Sequence, residues 1–175
     1  TARDTAVLAA VGLELVPVVR RPRVAVLSTG DEIVAPGEPL PIGSVYDSNQ
    51  RMLLDAVAEL GGEPVPGGIL PDDEPRLEEA LLAQLTGPEA VDVVLLSGGT
   101  SKGEGDLNAT VVHRLAGRLV GSPGVVVHGV ALKPGKPILL AVVAGRPVVV
   151  LPGFPTSAVF TFHEFVAPLL RRLAG

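Results

Sequence analysis

Leu95-Leu96-Ser97-Gly98-Gly99-Thr100-Ser101-Lys102-Gly103-Glu104-Gly105-Asp106 is the stretch on which the fold of this chain turns. Just ahead of it, Val91 to Leu96 is a short β-branched and aliphatic run broken only by Asp92, which predicts a buried strand ending at a glycine pair. Beyond it, Leu107 to Leu115 resumes the apolar spacing of a helix. A strand that empties through glycines into a helix leaves backbone N–H groups free and presents the positive end of a helix dipole, and both favour an anion. Ser97 to Asp106 also carries hydroxyls, a lysine and carboxylates, which a plain turn does not need. It is read as a cradle for phosphate or another oxyanion.

Upstream, Glu63 to Leu70 predicts a strand, and Asp72, following Pro71, opens a helix with Leu77, Ala80, Leu81, Ala83 and Leu85 on its apolar side. Arg23 to Ser28 predicts the first buried strand, with Thr29-Gly30-Asp31-Glu32 directly after it. Hydroxyl, glycine and acids thus stand at the carboxyl end of a strand, where open α/β sheets keep their ligands. Pro36 to Gly43 is too rich in proline for a strand interior. Tyr46-Asp47-Ser48-Asn49 offers N-cap residues for a helix from Met52 to Leu60, which Gly61-Gly62 ends. Thr1 to Val11 reads as a short helix closed by Gly12, and Leu15 to Arg20 as extended chain. Residues 1–22 are expected to be a lead-in from a preceding domain, and residues 23–175 the domain itself.

Downstream, Val125 to Leu132 predicts a strand that runs into Lys133-Pro134-Gly135-Lys136-Pro137. The proline rings fix φ and the glycine permits a tight turn, so both ammonium groups can be aimed at one point with little ordering cost. Paired lysines suit a compact dianion better than a bidentate carboxylate, for which arginine is the usual choice. Ile138 to Val143 and Pro147 to Leu151 form an antiparallel hairpin about Ala144-Gly145-Arg146. The hairpin delivers Leu151-Pro152-Gly153-Phe154-Pro155-Thr156-Ser157, a second strand-to-helix turn, and Ala158 to Leu173 is the closing helix. Strands alternating with helices predict an α/β domain, a three-layer α/β/α arrangement with a mostly parallel sheet and a C-terminal antiparallel hairpin strand.

Composition narrows the function. The 175 residues are 47% hydrophobic but only 3% aromatic, so the core is built from aliphatic side chains, as in strands covered on both faces. A net charge of -5 and the scarcity of basic clusters and aromatics argue against nucleic acid as partner. No cysteine is present, which removes disulfides and thiolate chemistry. No apolar run of membrane-spanning length is found, and the expected compartment is the cytoplasm. Loops with glycine and hydroxyl, paired lysines, and acids at Glu32, Asp72 and Asp106 suggest a phosphorylated or oxyanionic substrate with a divalent cation.

The motifs Ser28-Thr29-Gly30-Asp31-Glu32, Tyr46-Asp47-Ser48-Asn49, Ser97 to Asp106, Lys133-Pro134-Gly135-Lys136-Pro137 and Leu151 to Ser157, in this order and spacing, resemble the molybdopterin molybdenumtransferase family, that of MoeA and the gephyrin E domain. The resemblance runs from about Arg21 to the C-terminus and implies the molybdopterin-binding fold. It implies an enzyme of molybdenum-cofactor biosynthesis that takes adenylylated molybdopterin and molybdate as substrates and, with Mg²⁺, releases AMP. By the same resemblance, Glu32, Asp72, Asp106 and Lys133 fall on catalytic positions, with Glu32 and Asp106 towards the metal. Thr29, Gly30, Asp31, Ser97, Gly98, Gly99, Thr100, Ser101, Lys133, Lys136, Pro152, Gly153 and Ser157 fall on the binding surface. The family also implies a dimer that shares its active site between subunits, and a molybdopterin adenylyltransferase acting just upstream.

Two positions depart from the family pattern: Gly129 stands where a lysine is common, and Phe154 where asparagine is. Two other readings remain open at this point. The adenylyltransferase of the preceding step shares the fold, although the Lys-Pro-Gly-Lys-Pro loop resembles the metal-inserting family instead. A non-catalytic scaffold module is the other, and it would need neither the acids nor the lysines.

Overall fold

The computed structural model describes residues 1–98 and 106–175. Its main sheet has six strands in the order β4-β1-β5-β8-β7-β6. These are β1 (Arg23–Thr29), β4 (Glu63–Leu70), β5 (Val93–Gly98), β6 (Gly124–His128), β7 (Leu139–Val143) and β8 (Arg146–Leu151). β4, β1, β5 and β8 run parallel, and β7 runs against both of its neighbours, β8 and β6. The expected three-layer architecture with an antiparallel end is therefore found. Two short strands outside the main sheet, β2 (Ile33–Val34) and β3 (Val45–Tyr46), pair in parallel and bracket the proline-rich loop, a pairing too short to read from sequence.

Both faces of the sheet are buried, which accounts for the continuous aliphatic runs. On one face Val24, Val26, Val93 and Leu95 pack with Leu53 and Val57 of α2 (Asn49–Glu59) and with the closing helix. On the other, Ala25, Leu27, Val94 and Leu96 pack with Leu77, Leu81 and Leu85 of α3 (Glu74–Leu85) and with Val111, Val112 and Leu115 of α4 (Leu107–Arg118). Each fully buried leucine contributes about 1.5–3 kcal/mol by leaving water, so these two cores hold the sheet rigid beneath its loops. Edge strand β4 carries Pro64 and Pro66 and remains aligned with β1 through a bulge between Val26 and Leu27.

Several boundaries differ from the sequence reading. The central strand is shifted to Val93–Gly98, so that Ser97 and Gly98 belong to the sheet rather than to the loop. Helix α2 begins at Asn49 rather than Met52, because Asp47 Oδ1 accepts from the Gln50 N–H at 3.0 Å and supports the first turn. β6 stops at His128, where Gly129 turns the chain with φ +84°. The closing helix starts at Pro155. It runs as α5 (Pro155–Thr161), a π-helical turn (Phe162–Val166) and α6 (Ala167–Leu173).

Helix α1 (Ala2–Ala10) buries none of its residues, and Leu15 to Arg20 pairs with no strand. The segment is fastened where it meets the sheet. Arg20 Nη1 and Nη2 each lie 2.5 Å from a different Asp92 oxygen, and Asp92 Oδ2 also accepts from the Arg23 N–H at 2.7 Å. Hydrogen bonding from Arg20 lowers the Asp92 carboxyl below its usual pKa. Among the described residues, no helix is long and apolar enough to cross a membrane.

Candidate functional site

Four parallel strands end on one rim of the sheet, and each delivers a loop there. β1 leads into Gly30-Asp31-Glu32, β4 into Pro71-Asp72, β5 ends at Ser97-Gly98, and β8 leads into Pro152-Gly153. The lysine loop joins them because β7 is antiparallel: Leu139, its first residue, pairs with Val150 near the end of β8 and with His128 at the end of β6. Residues 129–138 therefore emerge at the same rim. Within that loop the Val130 N–H donates to Lys136 O at 2.9 Å and the Ile138 N–H to Gly135 O at 3.2 Å. Gly135, at φ +114°, lies so close to Thr161 of α5 that a Cβ there would come within 2.4 Å of Thr161 Cγ2. The loop is thus seated on the closing helix, with the Lys133 and Lys136 side chains exposed.

The rim is divided by charge. Asp31, Glu32 and Asp72 gather at the β1 and β4 exits, where the Asp72 N–H donates to Asp31 Oδ1 at 3.0 Å. Partial burial and then the negative charges of Asp31 and Glu32 push the Asp72 carboxyl above its usual pKa. Lys133 and Lys136 belong to the opposite end. From β1 to β7 there are three strand spacings, about 14 Å, with the β5 exit between them. That span suits an extended ligand with an anionic centre.

Capping is done by Asp73, whose Oδ1 accepts from the Arg76 N–H at 2.9 Å, and not by Asp72, which the sequence reading placed at the helix start. Asp72 is left to the acidic cluster. Asp106 does serve the fold: its Oδ1 caps α4 through the Ala109 N–H at 3.0 Å, while its Oδ2 lies 3.3 Å from His128 Nε2. Asp106 thus lies beside the end of β6. Ser157 sits in the first turn of α5, half-buried, and its N–H donates to Phe154 O at 2.9 Å. Phe154 is 80% exposed at the same turn. Gly99, Thr100 and Ser101 lie outside the described residues. Among the described residues, no group of three His, Asp or Glu side chains is arranged to hold a metal ion.

Thr29, Ser97 and Gly98 lie at the centre of the rim. Gly98 has φ +109° and faces β1 so closely that a Cβ would come within 2.2 Å of Thr29 O. Two asparagines, not singled out as site residues from the sequence, lace these strand ends together. Asn49 Nδ2, at the start of α2, donates to Ser97 Oγ and to Gly153 O, each at 2.7 Å. Asn108 Nδ2, in the first turn of α4, donates to Thr29 Oγ1 at 3.2 Å and to Gly98 O at 2.8 Å. A signal for Asn108 is present in the sequence: with Val111, Val112 and Leu115 it occupies the core stripe of its helix, where an amide is out of place.

The protein family described as "Probable molybdopterin binding domain" matches residues 25–172. The chain belongs to that family. As a molybdopterin-binding domain it is 37% identical over 177 residues to a molybdopterin molybdenumtransferase of Nostoc, covering 99% of this chain and 38% of the relative. It is also 37% identical to the protein of that name from Haemophilus influenzae, covering 96% of this chain and 39% of the relative. A solved MoeA structure from Pyrococcus horikosii superposes on the domain with a TM-score of 0.83 at 44% identity, covering 99% of this chain and 41% of that one. The molybdopterin-binding domain thus spans about two fifths of the length of these relatives.

Proposed function

We propose that this chain is the molybdopterin-binding domain of an enzyme that inserts molybdate into adenylylated molybdopterin and releases AMP. The observation that carries the reading is the division of one rim into an acidic end at Asp31, Glu32 and Asp72, a hydroxyl centre at Thr29 and Ser97, and a basic end at Lys133 and Lys136. Molybdate is a dianion, and two ammonium groups on a braced loop supply charge-assisted donors for it. The phosphate of the adenylylated substrate is assigned to the β5 exit, with Gly98, Pro152, Gly153 and Ser157 around it.

Mg²⁺ fits the acidic end by its chemistry. Partial burial and then the charges of Asp31 and Glu32 raise the Asp72 pKa, so the cluster holds negative charge that a cation would relieve. Mg²⁺ is commonly held by one or two carboxylates together with substrate phosphates and water, so it needs no three-residue cage. Glu32 is the carboxylate assigned to it; Asp106 is assigned with it on the resemblance alone, since its Oδ1 caps the helix and its Oδ2 lies 3.3 Å from His128 Nε2. When bound there, such an ion would supply charge neutralisation for the phosphoanhydride. The reading extends to residues 1–22 as the lead-in from a preceding domain, to 23–175 as the domain, to a homodimer, to an upstream adenylyltransferase and to a cytoplasmic setting. Because the chain spans about two fifths of its relatives' length, it is expected to bind substrate weakly on its own and to release AMP at a negligible rate.

Calorimetry of molybdate against the native chain, Lys133→Ala and Lys136→Ala tests the assignment. Loss of one charge-assisted contact is expected to weaken binding by about tenfold to a hundredfold. Unchanged affinity in both variants would remove the lysines from the site.

A further inference from the structure

The two asparagine clasps determine the direction of every hydrogen bond they touch. In each, a single amide nitrogen faces one hydroxyl and one backbone carbonyl: Ser97 Oγ and Gly153 O for Asn49, Thr29 Oγ1 and Gly98 O for Asn108. A carbonyl only accepts, so it fixes the nitrogen end of the amide towards itself, and both amide hydrogens are then in use. The hydroxyl on the second hydrogen must accept. Its own proton is left for another partner, and neither Ser97 nor Thr29 donates it to a described residue.

An energetic observation points the same way. Asn49 is 8% exposed and Asn108 fully buried, and each leaves its Oδ1 without a hydrogen-bond partner among the described residues. A buried acceptor left unpaired costs roughly 1–3 kcal/mol, a penalty that an aliphatic residue on either helix stripe would not incur. Among the described residues, packing alone does not explain either amide.

We propose that Asn49 and Asn108 are positioning residues that lock the Ser97 and Thr29 hydroxyls as hydrogen-bond donors towards an oxyanion at the β5 and β1 strand ends. Ser97 lies on the α2 side of the sheet and Thr29 on the α4 side, 3% and 1% exposed, so the two donors sit in the floor of the rim, one towards each face. Phosphate and molybdate oxygens only accept, and they match donors whose direction is fixed in advance, without rotor freedom to lose on binding. The inference rests on the oxyanion reading of the rim.

Calorimetry with two probes, AMP and molybdate, tests it, with thermal melts checking that each variant folds. Ser97→Ala and Thr29→Val are each expected to weaken at least one probe by about tenfold, while Thr29→Ser, which keeps the hydroxyl, stays within about twofold of the native chain. Asn49→Ala should reproduce the loss seen in Ser97→Ala, and the double variant should bind no more weakly than Ser97→Ala, because clasp and hydroxyl act as one unit. Asn108 and Thr29 should behave alike. Weakening of AMP alone assigns the donors to phosphate, and weakening of molybdate alone assigns them to molybdate. If the asparagine variants fail to fold, Ser97→Ala and the contrast between Thr29→Val and Thr29→Ser decide. Native affinity for both probes in Ser97→Ala and Thr29→Val would overturn the inference and leave the oxyanion reading standing. A native chain that binds neither probe would overturn both.

Discussion

Replacing Gly98 by alanine adds one methyl group at the point where β5 meets β1, and the structure gives its surroundings. The new Cβ would lie 2.2 Å from Thr29 O and 3.2 Å from both Thr29 C and Thr29 Oγ1. Ordinary contact would require the carbonyl oxygen to retreat by more than 1 Å, roughly, and it is backbone in the centre of the sheet, not the end of a flexible side chain. The φ of +109° adds conformational strain, of order 1–3 kcal/mol for a residue with a side chain. Displacing Thr29 also pulls on Asn108, which holds Thr29 Oγ1 and Gly98 O with the same nitrogen. Strain, clash and a loosened hydrogen bond together predict about 3–5 kcal/mol of destabilisation, in the range reserved for core defects. Urea unfolding gives the value directly, with an unchanged m-value showing that the unfolded state is not what moved. For a domain of this size the melting temperature should fall by roughly 6–20 °C. A loss below about 1 kcal/mol would refute the reasoning, because it would mean that the rim relaxes easily and does not hold its hydroxyls in fixed places.

Three further outcomes are expected. Asn caps helices as well as Asp does, so Asp106→Asn should leave the melting temperature nearly unchanged, yet abolish Mg²⁺-dependent AMP release in the intact enzyme, measured by nucleotide chromatography. Asp72 has a folded pKa raised above 3.8, so the fold is favoured while it is protonated and loses stability as pH rises through the raised value; Asp72→Asn should melt higher than the native chain at neutral pH and show no gain below pH 3.8. Asp92 has a folded pKa lowered from 3.8, so its contribution is present above that pH and lost as pH falls through the lowered value; Arg20→Gln should lower the melting temperature at neutral pH, with the difference shrinking in acid.

What the sequence made legible was what local pattern controls. The strand from Glu63 to Leu70 was read to the residue, because Gly61-Gly62 and Pro71 punctuate both ends of an extended run. The Lys133 loop was placed correctly between strands by its rigid composition, although only the pairing of Leu139 with Val150 shows that it reaches the common rim. Asp72 and Asp73 could not be told apart as caps, since both precede the apolar stripe and only the backbone geometry selects Asp73. The asparagine clasps were hidden for a different reason. Asn49 meets Gly153 across 104 residues and Asn108 meets Thr29 across 79, and no local spacing encodes such contacts. An amide on a core stripe hinted that a partner existed without saying which.

Edge strand β4 carries a further consequence. Its Glu63 N–H donates inward to Pro22 O at 2.8 Å, so by the alternation of a strand the nitrogens of residues 64 and 66 face away from the sheet. Both of those residues are proline. A strand approaching from outside meets two outward nitrogens that carry no hydrogen, and a continuing ladder fails at each of them. The sheet is thus closed to growth on its acidic side by the covalent structure of two residues.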